Sequence, residues 1–326
     1  MLISRTPLRV SFFGGGTDLP EFYRNHRGAV IGTAIDKYIY HTVSRFPSEL
    51  FDYTTRISYS KVECVRSIDD IQHAPFREIL RECGIQKDIE IHVAADLPSF
   101  SGLGSSSSFT VGLLKALYAF QQKEISPLTL TNEAIRIERE VLREAVGCQD
   151  QSFASFGGMN LISFSADNTI TVEPLSLSAQ TMEELSASLI LFFTGITRRA
   201  ANIEEDKIKR IDDLNANLKS MLHIVDDAYT LLTNNKGLSG FGALLDKAWK
   251  EKKALGVGVS NGRIDQMYQT AIDNGAFGGK LLGAGGGGFL LFFVPPENRV
   301  KLKKALSQFS EIPFSMNAPG ATIIYS

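Results

Sequence analysis

A glycine- and serine-rich segment between a predicted strand and a predicted helix constrains the fold more than any other stretch of the chain. Before it, Ile89, Ile91 and Val93 alternate with polar residues, which is the pattern of a half-buried strand. After it, apolar residues recur at helical spacing over residues 109–117. Glycines let a ligand approach the backbone closely, and the free N–H groups of a helix start favour an anion. The segment from Gly102 to Ser108 is therefore predicted to bind phosphate.

A flexible linker is the alternative interpretation of this segment, because runs of serine after glycine are also typical of low-complexity sequence. Linkers, however, seldom join an alternating strand to an apolar helix without a break in the pattern. The phosphate site is therefore the favoured interpretation.

Composition narrows the classes of function. The chain has 326 residues, enough for two ordinary domains, and its 34 basic and 36 acidic residues give a formal net charge of −2. This balance gives no general electrostatic reason to bind nucleic acid or an anionic membrane, and neither partner is expected. The longest apolar run, residues 289–294, is far too short to span a bilayer. The three cysteines lack a CxxC pair, which predicts reduced thiols in a cytoplasmic protein.

The order of the predicted elements favours an α+β fold of two domains, with a sandwich of the split-βαβ kind. Strands are predicted at residues 8–13, 29–35, 38–45, 89–93, 159–164, 170–174, 189–194, 289–294 and 322–325, with further β structure at 52–65. Helices are predicted at residues 67–83, 109–118, 127–145, 200–232, 241–249, 264–274 and 297–309. Residues 176–188 are polar and predict the connection between the domains, which places the first domain at residues 1–180 and the second at 181–326.

Two aspartates stand beside special segments of the chain. Asp18 follows three glycines, which predict either a hairpin turn capped by Asp18 or a loop that contacts a ligand. Asp150 lies between two glutamines just after a predicted helix, where it is either the cap of a further helical turn or a chemical group of a site. Arg9 is a basic residue early in the chain that could complement them.

Familiar nucleotide-binding motifs do not fit. A literal G-x-G-x-x-G occurs at residues 283–288, but a strand follows it, whereas the dinucleotide fingerprint requires a helix. Gly275 and Lys280 are too close together for a P-loop, and Leu281 occupies the position of the hydroxyl residue. There is also no G-x-S-x-G elbow of a hydrolase. What remains is a phosphate site without a P-loop lysine, in which carboxylates and serine hydroxyls could share Mg²⁺ with phosphate oxygens.

Three segments together resemble a known family. Residues 7–18 (PLRVSFFGGGTD), 97–108 (LPSFSGLGSSSS) and 280–288 (KLLGAGGGG) look like the three ordered motifs of the GHMP small-molecule kinases, such as galactokinase, homoserine kinase and mevalonate kinase. The resemblance covers almost the full chain. It implies ATP and Mg²⁺, an N-terminal domain like ribosomal protein S5 domain 2, a ferredoxin-like C-terminal domain, and a site in the cleft between them.

The resemblance also implies a role for each motif position. Asp150 falls on the catalytic aspartate, which takes the proton from the substrate hydroxyl, and Arg9 on the arginine that pairs with it. Ser106 and Glu138 would hold the metal, and Glu140 stays possible because the spacing differs by one residue. The other implied positions are the ATP phosphate-binding residues Gly102, Leu103, Gly104, Ser105, Ser106 and Ser107, and the substrate-binding residues Asp18, Gly15, Gly16, Arg198, Gly285 and Gly286.

The implied substrate is a sugar phosphate. Galactokinases carry Gly-Glu-His where this chain has Gly14 to Gly16, which argues against galactose. Residues 11–19, 147–151 and 194–200 are most similar to the subfamily that phosphorylates the anomeric hydroxyl of D-glycero-D-manno-heptose 7-phosphate, and Arg198 or Arg199 could hold the distal phosphate. The alternatives are a kinase for fucose, galactose or a hexose phosphate, a non-catalytic sugar sensor on the same fold, and an oxidoreductase using the late glycine loop. Tyr53 is the one suggestion for the adenine site, and no oligomeric state is predicted.

Overall fold

The computed structural model describes residues 1–99, 102–197, 201–234, 237–256 and 258–326, with the backbone alone described for 201–204. The strands are β1 (Leu2–Phe13), β2 (Gly28–Arg45), β3 (Thr55–Ser58), β4 (Val62–Val65), β5 (Ile89–Ala95), β6 (Met159–Phe164), β7 (Ile170–Pro174), β8 (Leu189–Phe193), β9 (Gly278–Leu281), β10 (Phe289–Phe293) and β11 (Thr322–Tyr325). The helices are α1 (Pro20–Tyr23), α2 (Ala74–Glu82), α3 (Ser105–Phe120), α4 (Pro127–Arg136), α5 (Gln149–Phe156), α6 (Ala179–Ser188), α7 (Ala201–Lys209), α8 (Asn215–Thr233), α9 (Phe241–Ala254), α10 (Gly262–Asp273) and α11 (Arg299–Ala305).

The long strand β2 organises the larger of two sheets. One of its edges pairs with β1 along most of its length. On its other edge, the first half of β2 pairs with β6 and the second half with β5. Among the described residues, the full sheet has eight strands in the order β11-β1-β2-β5-β3-β4, with β6 and β7 attached beside the first half of β2. Arg9 of β1 contacts both the loop before α3, through Leu103, and the first turn of α5, through Asp150, and the candidate site lies there.

The smaller sheet has the order β8-β10-β9, and both of its pairings are antiparallel. The last strand, β11, does not join it but returns to pair with β1 in the larger sheet. The predicted boundary between residues 180 and 181 falls inside α6 and stays a prediction. The predicted α+β class is confirmed, since separate helices pack on two largely antiparallel sheets.

One hydrophobic core joins the two sheets. The ring of Phe241 in α9 packs edge-on against Phe12 and Phe13 of β1, with centroid distances of 5.7 and 5.3 Å. The same ring lies 5.3 Å from that of Phe293 in β10. All of these side chains are buried, and such aromatic contacts stabilise the interface beyond the area that they bury. Helix α9 therefore links β1 of the larger sheet to β10 of the smaller one.

Several predicted boundaries are wrong in the first half of the chain. The predicted strands at 29–35 and 38–45 form one strand, β2. The predicted helix at 67–83 is a 3₁₀ turn at Ile68–Asp70 followed by α2, whose first turn contains a proline. The predicted helix at 127–145 starts as expected with Ser126, whose hydroxyl accepts the Thr129 N–H at 3.1 Å, but its α-helical part ends at Arg136.

Two further boundaries are wrong in the second half. The polar stretch at 176–188 contains α6, because Ser178 caps the helix by accepting the Thr181 N–H and Leu185 is buried. The predicted long helix at 200–232 is divided into α7 and α8. Asp212 and Asp213 lie at the break, and aspartate favours caps and turns over helix interiors.

Candidate active site

The start of α3 has the geometry of an anion site. The N-cap residue Gly104 has φ +77°, a left-handed conformation that favours glycine, and it supplies no side-chain cap to the first turn. The backbone N–H groups at this helix start therefore point outward with the positive end of the helix dipole. Ser105 is half-buried and Ser106 is exposed, so both side chains border this space. Phosphate binding by the segment from Gly102 to Ser108 stays a prediction, and residues 100 and 101, which precede it, lie outside the described part.

The glycines of this segment also allow close contact with the third glycine loop. Gly102 has φ +82°, and a Cβ atom at this position would lie 2.6 Å from the carbonyl oxygen of Leu282. Conversely, a Cβ atom on Gly283 would lie 2.4 Å from the Cα atom of Gly102. The two predicted loops, which are far apart in sequence, therefore touch through their backbones.

Arg9 and Asp150 form a bidentate ion pair next to the phosphate segment. The Nε and Nη2 atoms of Arg9 donate to the two carboxylate oxygens of Asp150, each at 2.8 Å. Nη1 of Arg9 donates to the carbonyl oxygen of Gly102 at 2.7 Å, and its backbone N–H donates to that of Leu103 at 3.0 Å. A Cβ atom on Gly104 would lie 3.3 Å from both members of the pair. A carboxylate of fixed orientation is therefore held beside the anion site.

The position of Asp150 reconciles the two interpretations that its sequence context left open. It lies in the first turn of α5, which begins at Gln149, so a further helical turn does start here. Its carboxylate nevertheless binds Arg9 across the site. Its side chain is 23% exposed while that of Arg9 is 5% exposed, so Asp150 is the more accessible member of the pair.

Glu138 is directed into the protein by a π-helical turn, Ile137–Val141, that continues α4. A π turn adds one residue to the helical repeat and is often found at functional sites. The side chain is 1% exposed, and its Oε2 atom accepts hydrogen bonds from Ser107 Oγ at 2.8 Å and Gln151 Nε2 at 2.5 Å. Its Oε1 atom is buried without a hydrogen-bonding partner among the described residues.

Burial raises the pKa of Glu138 to about 7, and the nearby Thr110, Ser107 and Gln151 side chains oppose this shift only in part. A buried carboxylate with an unpaired oxygen is suited to bind a cation that compensates its charge. The described residues contain no cluster of three or more His, Cys, Asp or Glu that could hold a metal ion alone. A hard cation such as Mg²⁺ fits this environment if phosphate oxygens supply further ligands.

The two alternatives for the metal ligand differ clearly in position. Glu140 is exposed and lines a separate surface cavity of about 440 Å³ together with Arg24 and Cys148. The hydroxyl that contacts Glu138 belongs to Ser107, whereas the side chain of Ser106 is exposed at the anion site. The roles of Ser106 and Glu138 in metal binding stay predictions.

Asp18 is buried, and its carboxylate joins two backbone segments. Oδ1 accepts the Gly16 N–H at 2.8 Å, and Oδ2 accepts the Gln149 N–H at 3.2 Å. The carbonyl oxygen of Asp18 accepts the N–H of Cys148 at 3.1 Å. Asp18 thus caps the glycine turn, as one interpretation predicted, and it also positions the start of α5. Its role as a substrate ligand stays a prediction, as does that of Gly15 and Gly16.

The third glycine loop is anchored by two lysines. Nζ of Lys280 donates to the carbonyl oxygen of Phe12 at 2.7 Å, and Nζ of Lys252 donates to that of Leu281 at 2.7 Å. Burial, reinforced by the charge of Arg9, lowers the pKa of Lys280 to about 7. Gly286 is fixed by its N–H, which donates to the carbonyl oxygen of Val259 at 2.9 Å. The loop is thereby held near Arg9, but substrate binding by Gly285 and Gly286 stays a prediction.

Three contacts in this region were missed at the level of the sequence: Ser107 and Gln151 on Glu138, and Lys280 on β1. Gln151 could have been noticed because it follows Asp150 directly, and Lys280 because it begins the third motif.

Arg198 and Arg199 lie outside the described residues. Tyr53 stacks on Phe46 with a centroid distance of 5.1 Å, and its place in an adenine site stays a prediction.

Within the described part of the chain, no helix has the length and apolarity needed to cross a membrane.

Two models of one protein family match this chain, and proteins of known function are similar to it. A model of the GHMP kinases N-terminal domain matches residues 73–158, and a model of the GHMP kinases C-terminal region matches residues 230–311. The D-glycero-alpha-D-manno-heptose 7-phosphate kinase of Campylobacter jejuni is 35% identical, and the alignment covers 93% of this chain and 92% of that protein. The L-fucokinase/L-fucose-1-P guanylyltransferase of Bacteroides fragilis is 27% identical over 95% of this chain and 36% of that protein.

The solved structure of a D-glycero-D-manno-heptose 1-phosphate kinase from Bacteroides thetaiotaomicron shares the fold. It superposes with a TM-score of 0.81 over 100% of both chains, at 24% sequence identity.

Proposed function

Since the chain belongs to the GHMP kinase family and is a phosphotransferase with an alcohol acceptor, we propose that it phosphorylates the anomeric hydroxyl of D-glycero-D-manno-heptose 7-phosphate with ATP. The product is the 1,7-bisphosphate, a precursor of nucleotide-activated heptose for surface glycans. The predicted family and its two-domain fold are confirmed. The heptose assignment is supported by the similarity to the Campylobacter jejuni heptose 7-phosphate kinase.

One observation carries the catalytic part of this proposal: a carboxylate held by a bidentate arginine stands next to an uncapped helix start. Phosphoryl transfer depends mostly on positioning and on stabilising negative charge. The N–H groups at the start of α3 bind the phosphates of ATP, and Arg9 orients Asp150 towards the acceptor. Asp150 takes the proton of the anomeric hydroxyl as its oxygen forms a bond to the γ-phosphorus. The bond from that phosphorus to the bridging oxygen breaks, and ADP leaves with the electron pair.

Kinases of this family generally use ATP together with Mg²⁺, and the residues around Glu138 fit such an ion. Mg²⁺ supplies charge neutralisation to the phosphate oxygens when it is bound. Glu138 would hold it with Ser106, while Ser107 and Gln151 orient the Glu138 carboxylate. The unpaired Oε1 atom of Glu138 supports this assignment.

A screen of ADP release tests the substrate. Purified protein is incubated with MgATP and a panel of heptose 7-phosphate, L-fucose, D-galactose and D-mannose 6-phosphate, and ADP is measured with a coupled assay. The largest kcat/KM is expected for heptose 7-phosphate, and phosphorus NMR should show a new phosphate at the anomeric carbon. Activity confined to unphosphorylated sugars would overturn the heptose phosphate assignment.

A fucose kinase is the second candidate, because a bifunctional fucokinase is similar along almost the whole chain. The same screen separates the two, since fucose carries no phosphate.

A further inference from the structure

A surface cavity of about 440 Å³ is lined by none of the residues that the proposed function assigns to ATP, Mg²⁺ or the acceptor. Its lining includes Tyr23 and Arg24 at the end of α1, and Arg136, Arg139 and Glu140 at the end of α4 and in the π turn. A cavity of this volume is large enough for a small metabolite. The chain therefore has space for a second ligand.

Positive charge predominates in the lining. Three arginines contribute to it, and Glu140 carries the one carboxylate among the described lining residues. Arg136 and Arg139 also form ion pairs with glutamates that do not line the cavity. Arg24, in contrast, has no carboxylate partner among the described residues, and only its Nε atom donates a hydrogen bond, to Asn168 Oδ1 at 3.1 Å. The two terminal nitrogens of Arg24 are thus available to an anion.

The hydroxyl of Tyr23 is a buried donor in this cavity. Tyr23 is 3% exposed, and its hydroxyl lies 3.4 Å from Asn168 Oδ1 and 3.6 Å from Cys148 Sγ. The contact to the oxygen is long, because O–H···O hydrogen bonds are usually about 2.7–2.8 Å. Burial raises the pKa of Tyr23, and the charges of Arg24 and Arg139 oppose this shift, so both guanidinium groups lie near the hydroxyl. A phenol donor and two guanidinium groups therefore meet in one part of the cavity.

The chemistry of the lining selects a class of ligand. Guanidinium groups together with a neutral hydroxyl donor match the oxygens of a phosphate group. The carboxamides of Asn132 and Asn168 both donate and accept hydrogen bonds, as sugar hydroxyls do. Ile135 and Ile170 add apolar surface, against which the C–H groups of a sugar ring can pack. The lining thus fits a small sugar that carries a phosphate.

Arg139 joins the cavity to the proposed active site. It follows Glu138 directly in the π turn, and its Nη1 atom donates to the carbonyl oxygen of Val146, four residues before Asp150. A phosphate that draws this guanidinium into the cavity competes with that contact, and the segment that carries Asp150 loses an anchor. The ligand then has different affinities for the anchored and the released segment. Such a difference in affinity is what allows a ligand to change the activity of another site.

We propose that this cavity is a regulatory site for a small phosphorylated sugar, and that its occupation lowers turnover. The phosphate binds Tyr23 Oη and the guanidinium groups of Arg24 and Arg139, and the hydroxyls bind the carboxamides. The ligand is not phosphorylated there, because the cavity lacks both Asp150 and the start of α3.

Titration calorimetry tests the site with two probes, inorganic phosphate and α-D-glucose 1-phosphate. The protein is first saturated with the Mg²⁺ complex of the ATP analogue AMPPNP and with the acceptor, so that both substrate sites are filled. Each probe should still bind at one site, and glucose 1-phosphate should bind more tightly. Arg24→Gln should weaken binding by about tenfold, since a charged bidentate contact is lost. Arg27→Gln is the matched control, because Arg27 is also exposed but pairs with Asp226 and does not line the cavity.

The ADP-release assay tests the regulatory effect. Glucose 1-phosphate has no free anomeric hydroxyl, so it cannot serve as the proposed acceptor. At saturating MgATP and acceptor and constant ionic strength, it should lower the kcat of the wild type and of Arg27→Gln by about fivefold. Arg24→Gln should keep the wild-type kcat without the probe and lose the response to it. Tyr23→Phe, which keeps the ring and removes the hydroxyl, should also weaken probe binding.

Absence of probe binding to the protein with filled substrate sites would overturn the proposal, as would equal binding by the wild type and Arg24→Gln. Equal affinity for the two probes would overturn the sugar part of the assignment. Binding that leaves kcat unchanged or raises it would overturn the regulatory role. The acceptor used is the panel sugar with the largest kcat/KM, so preference for another sugar overturns only the heptose assignment. If no panel sugar is phosphorylated, the proposed function fails, whereas probe binding in the presence of MgAMPPNP alone still tests the cavity.

Discussion

Arg9 binds both carboxylate oxygens of Asp150 and, through its third nitrogen, the carbonyl oxygen of Gly102. A bidentate arginine–carboxylate pair is a strong and directional contact. One guanidinium therefore orients the proposed base and ties it to the backbone of the phosphate segment. Changes in either residue should affect the chemical step more than the binding of ATP.

Asp150→Asn should abolish turnover while ATP still binds. The amide keeps the shape of the side chain but cannot accept the proton of the acceptor hydroxyl, and general bases contribute about 10²–10⁴-fold. We expect kcat to fall by that order in the ADP-release assay, with an ATP dissociation constant near that of the wild type in calorimetry. Asp226→Asn is the control, because Asp226 forms an exposed ion pair with Arg27. Turnover near wild type in Asp150→Asn would remove this residue from the mechanism.

Arg9→Lys should lower kcat although the positive charge is kept. An ammonium group cannot reproduce two parallel hydrogen bonds to a carboxylate and a third to the Gly102 carbonyl oxygen. A loss of about 10²-fold in kcat is expected from the misplacement of Asp150. The exposed Arg27 provides the matched control, Arg27→Lys, which should keep full activity. Wild-type kcat in Arg9→Lys would show that charge alone is sufficient at this position.

Glu138→Gln should make the protein more stable and less active. Burial raises the pKa of Glu138 from 4.5 to about 7, so the folded protein holds this proton more tightly than the unfolded chain. Ionisation of the carboxylate therefore lowers the free energy of unfolding above pH 7. This loss disappears as the pH falls from about 7 towards 4.5. The pKa difference corresponds to a cost on the order of 3 kcal/mol at high pH. Thermal denaturation should show a higher midpoint for Glu138→Gln at pH 8, and a smaller difference at pH 5.

The same variant tests the metal assignment. Glutamine cannot provide a charged oxygen, so the Mg²⁺ concentration for half-maximal activity should rise and kcat should fall. Glu140→Gln is the control, because Glu140 is exposed away from Ser107. If Glu140→Gln shows the loss and Glu138→Gln does not, the metal ligand is Glu140.

The elements around the phosphate segment could be predicted because their signals are local. Glycines 102 and 104 adopt the left-handed conformation that their residue type allows, and α3 begins at Ser105, just before the predicted apolar stripe. The start of α4 at Ser126 and Pro127 was predicted for the same reason. The motif resemblance then related Arg9 to Asp150, a pair separated by 141 residues.

Other features could not be predicted because they depend on tertiary contacts. The π turn at Ile137–Val141 leaves the helical period, and it places Glu138 in contact with Ser107 and Gln151. Lys280 reaches the carbonyl oxygen of Phe12 across 268 residues, a contact that no periodicity indicates. The return of β11 to β1 likewise depends on the arrangement of the whole sheet.

His41→Leu should make stability less dependent on pH in the acid range. His41 is fully buried in β2, its ring lies 5.0 Å from that of Phe109, and neither ring nitrogen has a hydrogen-bonding partner among the described residues. Burial lowers the pKa of His41 from 6.5 to about 3. Below pH 6.5 the unfolded chain takes up a proton that the folded protein does not bind until about pH 3, so the free energy of unfolding falls as the pH decreases through this window.

Well below pH 6.5, His41 should lower the free energy of unfolding by about 1.4 kcal/mol for each unit by which the pH decreases. Leucine has no titratable group, so this dependence should be absent in His41→Leu. Because Glu138 contributes with the opposite sign between pH 4.5 and about 7, the comparison is best made in the Glu138→Gln background. Urea denaturation at pH 7.0 and pH 5.0 should then show a smaller change in the free energy of unfolding with His41→Leu than with His41 present. Only this difference matters, since the substitution can alter packing against Phe109 equally at both pH values. An equal change in both proteins would contradict the prediction. It would mean that the pKa of His41 in the folded protein does not differ from that in the unfolded chain.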